Sequence, residues 1–278
     1  MKVARIGLTP VKGTRHQART EVELTRTGPV GDRVFCLVDP NRRQVLKTVA
    51  TAPLLAISTS WSGGILTADI GGADLSGVPA VTGGAIKVDY WGRQITAQPV
   101  SGPWSAAFSD YLNRPVVLAA THVGDIVYGD SVSVVTTASL ASLRVARRRP
   151  GAATDELDLH SDSARFRSTF VIDTTDSPYD TAGGELRWIG HDLDIGSATV
   201  RLTGAIVRCA VVDLHPSTGQ SDLRLLKALP RDPAGEPVFG LQGVVVRPGM
   251  VRVNSVAAAP VRRTRSSEGA LVDSRCRP

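Results

Sequence analysis

Gly204-Ala205-Ile206-Val207-Arg208-Cys209-Ala210-Val211-Val212-Asp213 is an apolar, β-branched run interrupted by an arginine and a cysteine, and His215-Pro216-Ser217-Thr218-Gly219 follows it as a turn. Branching at Cβ favours a strand, with Ile206 to Val212 as its body. A strand sends successive side chains to opposite faces, so Arg208 and Cys209 share a site only where the strand ends or bulges. A thiolate is a soft ligand and a strong nucleophile once its proton has left, and a neighbouring guanidinium favours that loss. On local sequence alone, a buried cysteine acting as a small hydrophobe is the simpler reading. The reading of Cys209 as a metal ligand draws on a wider set of motifs.

Around this run the chain reads as short strands. Downstream, Ser221 or Asp222 is placed to cap a short helix with Leu223, Leu226 and Leu229 inward, and Val238 to Val246 and Met250 to Val253 close the ordered chain near Ala258. Upstream lie strand candidates at Glu185 to Ile189 and Ala198 to Leu202. Before them, Arg165-Phe166-Arg167-Ser168-Thr169-Phe170-Val171-Ile172-Asp173 reads as a strand with two arginines at its start. On strand alternation Arg165 and Arg167 share a face, where they either close on one anion or make plain salt bridges. Val132-Ser133-Val134-Val135 leads into Thr136-Thr137-Ala138-Ser139-Leu140, where Thr136 or Thr137 caps a helix that Arg147, Arg148 and Arg149 end before Pro150.

The first part of the chain alternates over Val3 to Thr9, Glu21 to Thr25, Arg33 to Asp39, Ile65 to Ile70, Ile86 to Tyr90 and Arg93 to Ala97. Gly-Pro, Gly-Asp, Gly-Gly and Asp-Pro pairs punctuate it, the pattern of closed or sandwiched antiparallel sheet. One helix interrupts, with Trp104, Phe108, Tyr111 and Leu112 on one face. The expected fold is therefore mostly β with a few helices (α+β). A barrel-like unit over residues 1–114 precedes a second β-barrel with flanking helices over 115–258, whose first strand is Val116-Val117-Leu118-Ala119, and 259–278 form a basic tail.

At 278 residues with 42% hydrophobic and 21% charged side chains, the chain has the composition of a folded protein with room for two cores. Its net charge of +6 suits an anionic partner without naming one. Part of that excess (Arg262, Arg263, Arg265, Arg275, Arg277) lies among Ser, Pro and Gly with no interleaved aromatic, which argues for a solvated tail over a nucleic-acid arm. Cys36, Cys209 and Cys276 occupy separate contexts with no CxxC spacing, so a disulfide framework is not expected and a reducing compartment is. The amino terminus lacks the apolar region of a secretory signal, and no apolar run approaches a bilayer-spanning length. A cytoplasmic protein, with neither nucleic acid nor membrane as partner, is expected. Glycine-rich nucleotide loops, a GxSxG elbow and HExxH are all missing, and the five histidines are scattered.

Read in order, several stretches resemble the MOSC family, the domain named after the carboxyl-terminal part of molybdenum-cofactor sulfurases, preceded by that family's amino-terminal β-barrel partner. Pro10-Val11-Lys12-Gly13 looks like its Tyr-Pro-Val-Lys-Ser segment, and Gly31-Asp32-Arg33-Val34-Phe35-Cys36-Leu37-Val38-Asp39 like its Gly-Asp-Arg strand. Thr136-Thr137-Ala138-Ser139-Leu140 resembles the start of its outer helix. Arg165-Phe166-Arg167 is similar to its Arg-Phe-Arg-Pro-Asn motif, Arg208-Cys209 with Thr218-Gly219 to its Arg-Cys…Thr-Gly motif, and Phe239-Gly240 to a closing Phe-Gly element. This sequence departs from the family where Gly13 replaces Ser, Ser168-Thr169 replaces Pro-Asn, and His215 stands where many members have Asp.

Members with known chemistry, notably the amidoxime-reducing component, bind a pyranopterin molybdenum cofactor. The resemblance implies Cys209 as the metal ligand and catalytic residue, with Lys12, Arg33, Arg167, Thr169 and Arg208 holding the pterin and its phosphate. Arginine forks suit phosphate, and a thiolate suits a high-valent metal already bound to dithiolene sulfur. The implied activity is reduction of a small-molecule N-hydroxylated or N-oxide substrate. A separate reductase, ferredoxin- or flavodoxin-type protein would supply the electrons, because no cysteine cluster for an iron–sulfur module follows Cys209. Two other readings stay open: a sulfur carrier using a Cys209 persulfide, and a non-catalytic binding module. The family's range also includes pyridoxal phosphate binding.

Overall fold

The computed structural model describes residues 1–146 and 159–258. The arginine run expected to end the second helix and the basic tail lie outside the described residues.

Strand is the main regular structure, as the alternation demands. Among the described residues three helices join it: α1 (Trp104–Leu112), α2 (Thr137–Ala146) and α3 (Leu159–Phe166). The strands Ile86–Tyr90, Arg93–Pro99, Val117–Thr121, Phe35–Asp39 and Gln44–Val45 close into a five-stranded barrel. Trp104 and Phe108, one turn apart on α1, pack with Phe35, Leu118 and Leu66 in a core at its side. A larger sheet runs in the order Ala257–Ala258, Asp192–Ile195, Ala198–Val207, Val238–Arg247, Val132–Thr136, Phe170–Asp173, Lys2–Leu8, Gln17–Arg19. Its two ends approach each other where Lys2 bridges Val256 and the Ala257 N–H donates to the Met1 carbonyl (3.0 Å). The sheet wraps a core containing Phe170, Trp188, Leu202 and Leu241, all fully buried.

The larger sheet takes strands from both halves of the chain, and the barrel runs past the expected boundary at residue 114. Val117–Thr121, expected to open the second unit, pairs with Phe35–Asp39 and Arg93–Pro99 and so completes the first barrel. Strand Lys2–Leu8 pairs with Phe170–Asp173 of the larger sheet, and Glu21–Thr25 pairs with Gly249–Arg252. Sequence order and spatial order separate because hydrophobic alternation marks a strand without naming its neighbour.

Other local expectations are corrected. Arg165 and Phe166 end α3 instead of starting a strand, so Arg165 and Arg167 do not share a strand face. The strand carrying the Arg-Cys pair stops at Val207, and Ala210–Asp213 is a 3₁₀ turn, so the expected strand to Val212 is five residues too long. Gly184–Trp188 is another 3₁₀ turn instead of a strand. Gly183 precedes it at φ +69°, and Glu185 is held by the Thr136 and Ser139 hydroxyls (3.0 and 2.7 Å). The helix expected after Ser221 shrinks to Leu226–Ala228. Its candidate cap Asp222 is engaged by Arg165, and Asp213 instead accepts the Leu226 N–H (2.8 Å). Thr136 does cap α2, its hydroxyl accepting the Ser139 N–H at 3.2 Å.

Candidate functional site

Where the two sheets meet, a cavity of about 320 Å³ is lined by Lys12, Arg33, Arg167, Arg208 and Cys209, together with the Tyr90 ring. Five of the six site residues named from the sequence therefore come together, although they lie up to nearly two hundred positions apart in the chain. The sixth does not. Thr169 is 1% exposed and sits behind the wall, its hydroxyl accepting the Ser133 N–H at 3.2 Å while its own N–H donates to Ser133 Oγ at 3.0 Å. Thr169 is a tie between two neighbouring strands, which corrects its assignment as a cofactor contact. Ser133, its partner, lines the cavity in its place.

Local backbone conformation aims each cation. Lys12 follows Pro10-Val11, and its N–H donates to the Phe35 carbonyl (2.8 Å), which anchors the segment to the first barrel. The next residue, Gly13, has φ +97°, and a Cβ there would come within 3.0 Å of Leu54 Cδ1. A serine at this position would be strained, so the conformation here suits glycine. Arg33 (φ +48°) and Arg167 (φ +51°) both adopt the left-handed conformation, uncommon for side chains of this size and a recurrent feature of functional sites. Arg33 pairs with Asp32, which also accepts the Thr9 N–H (2.9 Å), and Arg33 Nη2 donates to the Arg167 carbonyl (3.4 Å).

Arg208 leaves the strand end with its Nε donating to the Phe239 carbonyl and its Nη1 to the Phe166 carbonyl, each at 2.8 Å. The guanidinium lies 5.4 Å from the Phe166 ring, itself stacked on Phe239 at 4.2 Å. Phe239 can offer its carbonyl because Gly240, at φ +71°, breaks the register against the Arg208 strand. The Phe-Gly element thus shapes the seat of Arg208. Gly219 has a comparable part in the Thr-Gly turn: at φ +74°, a Cβ would fall 2.1 Å from the Ala52 carbonyl oxygen, so only glycine lets that turn close on the first half.

Cys209 begins the 3₁₀ turn and is exposed, whereas Cys36 is fully buried and its thiol is pushed up to about 12 by burial. Of the two described cysteines, only Cys209 opens onto the cavity. Lys12 is pulled down to about 7, first by burial and then by Arg33 and Arg167. Burial likewise lowers Arg167 and Arg208, with Arg33 adding to the effect. Arg167 Nη1 and Arg208 Nη2 are buried without a hydrogen-bond partner. Arg165, by contrast, is held bidentately by Asp222 at 2.7 and 2.6 Å and fixes α3 to the loop after Cys209. No group of three or more His, Cys, Asp and Glu side chains among the described residues is arranged to hold a metal ion. Cys209 is thus a single thiol beside cations, suited to a metal that arrives with its own ligands.

The family models cover nearly the whole described chain. The MOSC N-terminal beta barrel domain matches residues 1–115, and the MOSC domain matches residues 120–257. The chain belongs to the MOSC domain family. MOSC domains are associated with molybdenum-cofactor sulfurase-like and related proteins. No match is found among curated proteins. Among solved structures, the YuaD protein from Bacillus subtilis matches at 9% identity and a TM-score of 0.39, covering 91% of this chain and 92% of its own. A Bordetella bronchiseptica protein, solved in solution as a structural-genomics target, matches at 12% identity and a TM-score of 0.27, covering 36% of this chain and 85% of its own.

Within this MOSC chain, sequence reading missed Tyr90, Lys47, Trp91 and Tyr128, all of which line the cavity. Trp91 and Tyr128 pair at 6.1 Å, with Lys47 Nζ 4.1 Å from the centre of the Trp91 ring. One signal was available: Trp91-Gly92 forms the tip of a two-residue hairpin, with Trp91 at φ +55°, where Asn or Gly is the ordinary choice.

Proposed function

We propose that this chain binds a molybdenum cofactor, with Cys209 as the protein's ligand to the metal, and reduces N-hydroxylated or N-oxide compounds. One observation carries the reading: two buried guanidinium nitrogens without partners share a cavity with Lys12, Arg33 and an exposed thiol. Buried donors without acceptors are costly, and cations more so, so the group that completes this cavity is anionic. The residues fit the pyranopterin cofactor. Its phosphate would meet Arg167, Arg208, Arg33 and Lys12, and its metal, already carrying dithiolene sulfur, would take one thiolate.

When bound, the cofactor supplies a metal centre for two-electron oxygen-atom transfer. Cys209 presents its sulfur just past a strand end, where Arg208 on the preceding residue is pinned by two carbonyls. Arg33 reaches from the first barrel to the Arg167 carbonyl and holds the two walls in one geometry. In the net reaction, an N–OH group, two protons and two electrons give N–H and water. A separate reductase, ferredoxin- or flavodoxin-type protein delivers the electrons, and the cytoplasm is the proposed location. No helix among the described residues is long and apolar enough to cross a membrane.

The test is expression in a host that makes the cofactor, followed by molybdenum analysis and benzamidoxime reduction for the wild type and Cys209→Ala. Reduction should be lost in the variant; unchanged reduction would remove the proposed role of the thiol. The exposure of Cys209 also favours a second reading, a sulfur carrier with a persulfide on that residue. A labile sulfur adduct on Cys209 in intact-protein mass spectra, without molybdenum, would favour the carrier.

A further inference from the structure

Tyr90 ends the strand Ile86–Tyr90, one residue before the hairpin tip. Its side chain is 1% exposed, and its hydroxyl is buried with no hydrogen-bond partner. Buried hydroxyls are nearly always satisfied, so an orphan needs a reason. Here the same ring lines the cavity. Lys12 Nζ lies 4.9 Å from its centroid and the Arg93 guanidinium 5.3 Å, so the ring is flanked by cations. Burial pushes the phenol up to about 12, so at neutral pH the group is a donor. Lys12 and Arg93 flank the ring, and Arg33 lines the same cavity. The O–H has no acceptor in the protein, so an acceptor brought by an anionic ligand would complete it.

We infer that Tyr90 is a ligand-binding residue of this cavity: its hydroxyl donates to an anionic oxygen of the bound group, and its ring positions the Lys12 ammonium toward the same group. The ligand chemistry is that of an oxyanion such as a phosphate ester. The inference rests on the proposed reading of the cavity as an anion site, and it does not depend on which metal is carried.

The probe is inorganic phosphate, titrated calorimetrically into the full chain as wild type, Tyr90→Phe and Tyr90→Leu, with thermal melting of each. Tyr90→Phe keeps the ring and removes the donor. It should weaken phosphate binding about tenfold, the scale of a hydrogen bond to a charged group, while melting at or above the wild-type temperature because an orphan hydroxyl is removed. Tyr90→Leu should weaken binding further, because Lys12 loses its ring. Wild-type affinity in Tyr90→Phe would overturn the assignment, as would a lowered melting temperature with unchanged affinity, the signature of a structural hydroxyl. Absence of phosphate binding by the wild type would overturn it too. Phosphate binding that depends on Tyr90, in a protein that never acquires molybdenum from a cofactor-producing host, would remove the proposed function and leave the role of Tyr90 standing.

Discussion

The contrast between Cys36 and Cys209 shows how position decides chemistry at the scale of one residue. Cys36 lies inside a barrel strand, where burial keeps its proton on; Cys209 sits just past a strand end, beside a guanidinium and open to a cavity. Lys12 gives the residue-scale prediction. With a folded value of about 7 against an ordinary 10.5, it is charged below neutrality and loses that charge as pH rises. Sulfate keeps a constant charge across the range, so its affinity should be highest below about pH 7 and fall above it. Stability of the ligand-free protein should move the other way. Between about 7 and 10.5 the unfolded chain binds the extra proton, so the Lys12 contribution to stability rises with pH. Calorimetric titrations of wild type and Lys12→Met across this range check both slopes, and the variant should flatten both. Lys12, Arg33, Arg167, Arg208 and Cys209 were legible because motif order survives in the sequence. Tyr90 was not, since an aromatic ending a strand looks like core, and Thr169 misled because its partner Ser133 is set by strand pairing that the sequence does not display.

Elements were legible where period and punctuation agreed, as in α1 and in the alternating strands of the first part. They failed where a side chain was captured by a distant partner: Asp222 by Arg165, and Glu185 by Thr136 and Ser139. Periodicity cannot register such captures. The strand Val238–Arg247 shows the opposite case, a local irregularity that serves the site. Gly240 at φ +71° would place a Cβ 2.5 Å from the Val134 carbonyl oxygen and 3.4 Å from Arg208 Nη2. Gly240→Ala should therefore cost about 2–4 kcal/mol in denaturant unfolding, from left-handed strain and a backbone clash together. It should also weaken oxyanion binding in the fraction that folds. An alanine variant with wild-type stability would show that this bend is not required.

At the scale of the whole molecule, the larger sheet draws strands from both ends of the described chain, from Lys2–Leu8 to Ala257–Ala258, while the smaller barrel, built within residues 35–121, runs past the end of the first family match at residue 115. The amino-terminal strand is a staple of the larger sheet, and Val117–Thr121 closes the smaller barrel. A cut after residue 115 leaves Phe170–Asp173 without Lys2–Leu8 on one side and Phe35–Asp39 without Val117–Thr121, one of its two partners. Fragments 1–115 and 116–278 should each fail to give a cooperative thermal transition alone, while co-expression should recover a complex; two independently folding fragments would contradict this picture. The sequence marked two β-rich halves, but strand exchange between them is a matter of long-range pairing that alternation leaves open.

That exchange is also what brings Lys12 and Arg33 to Arg167, Arg208 and the thiol, so the central claim concerns the metal at their meeting point. Its most direct test is molybdenum X-ray absorption on protein from a cofactor-producing host, wild type against Cys209→Ser. The account predicts a spectrum in which the variant loses one sulfur neighbour of the metal. An identical sulfur shell in both proteins, or a wild type without molybdenum, would contradict it.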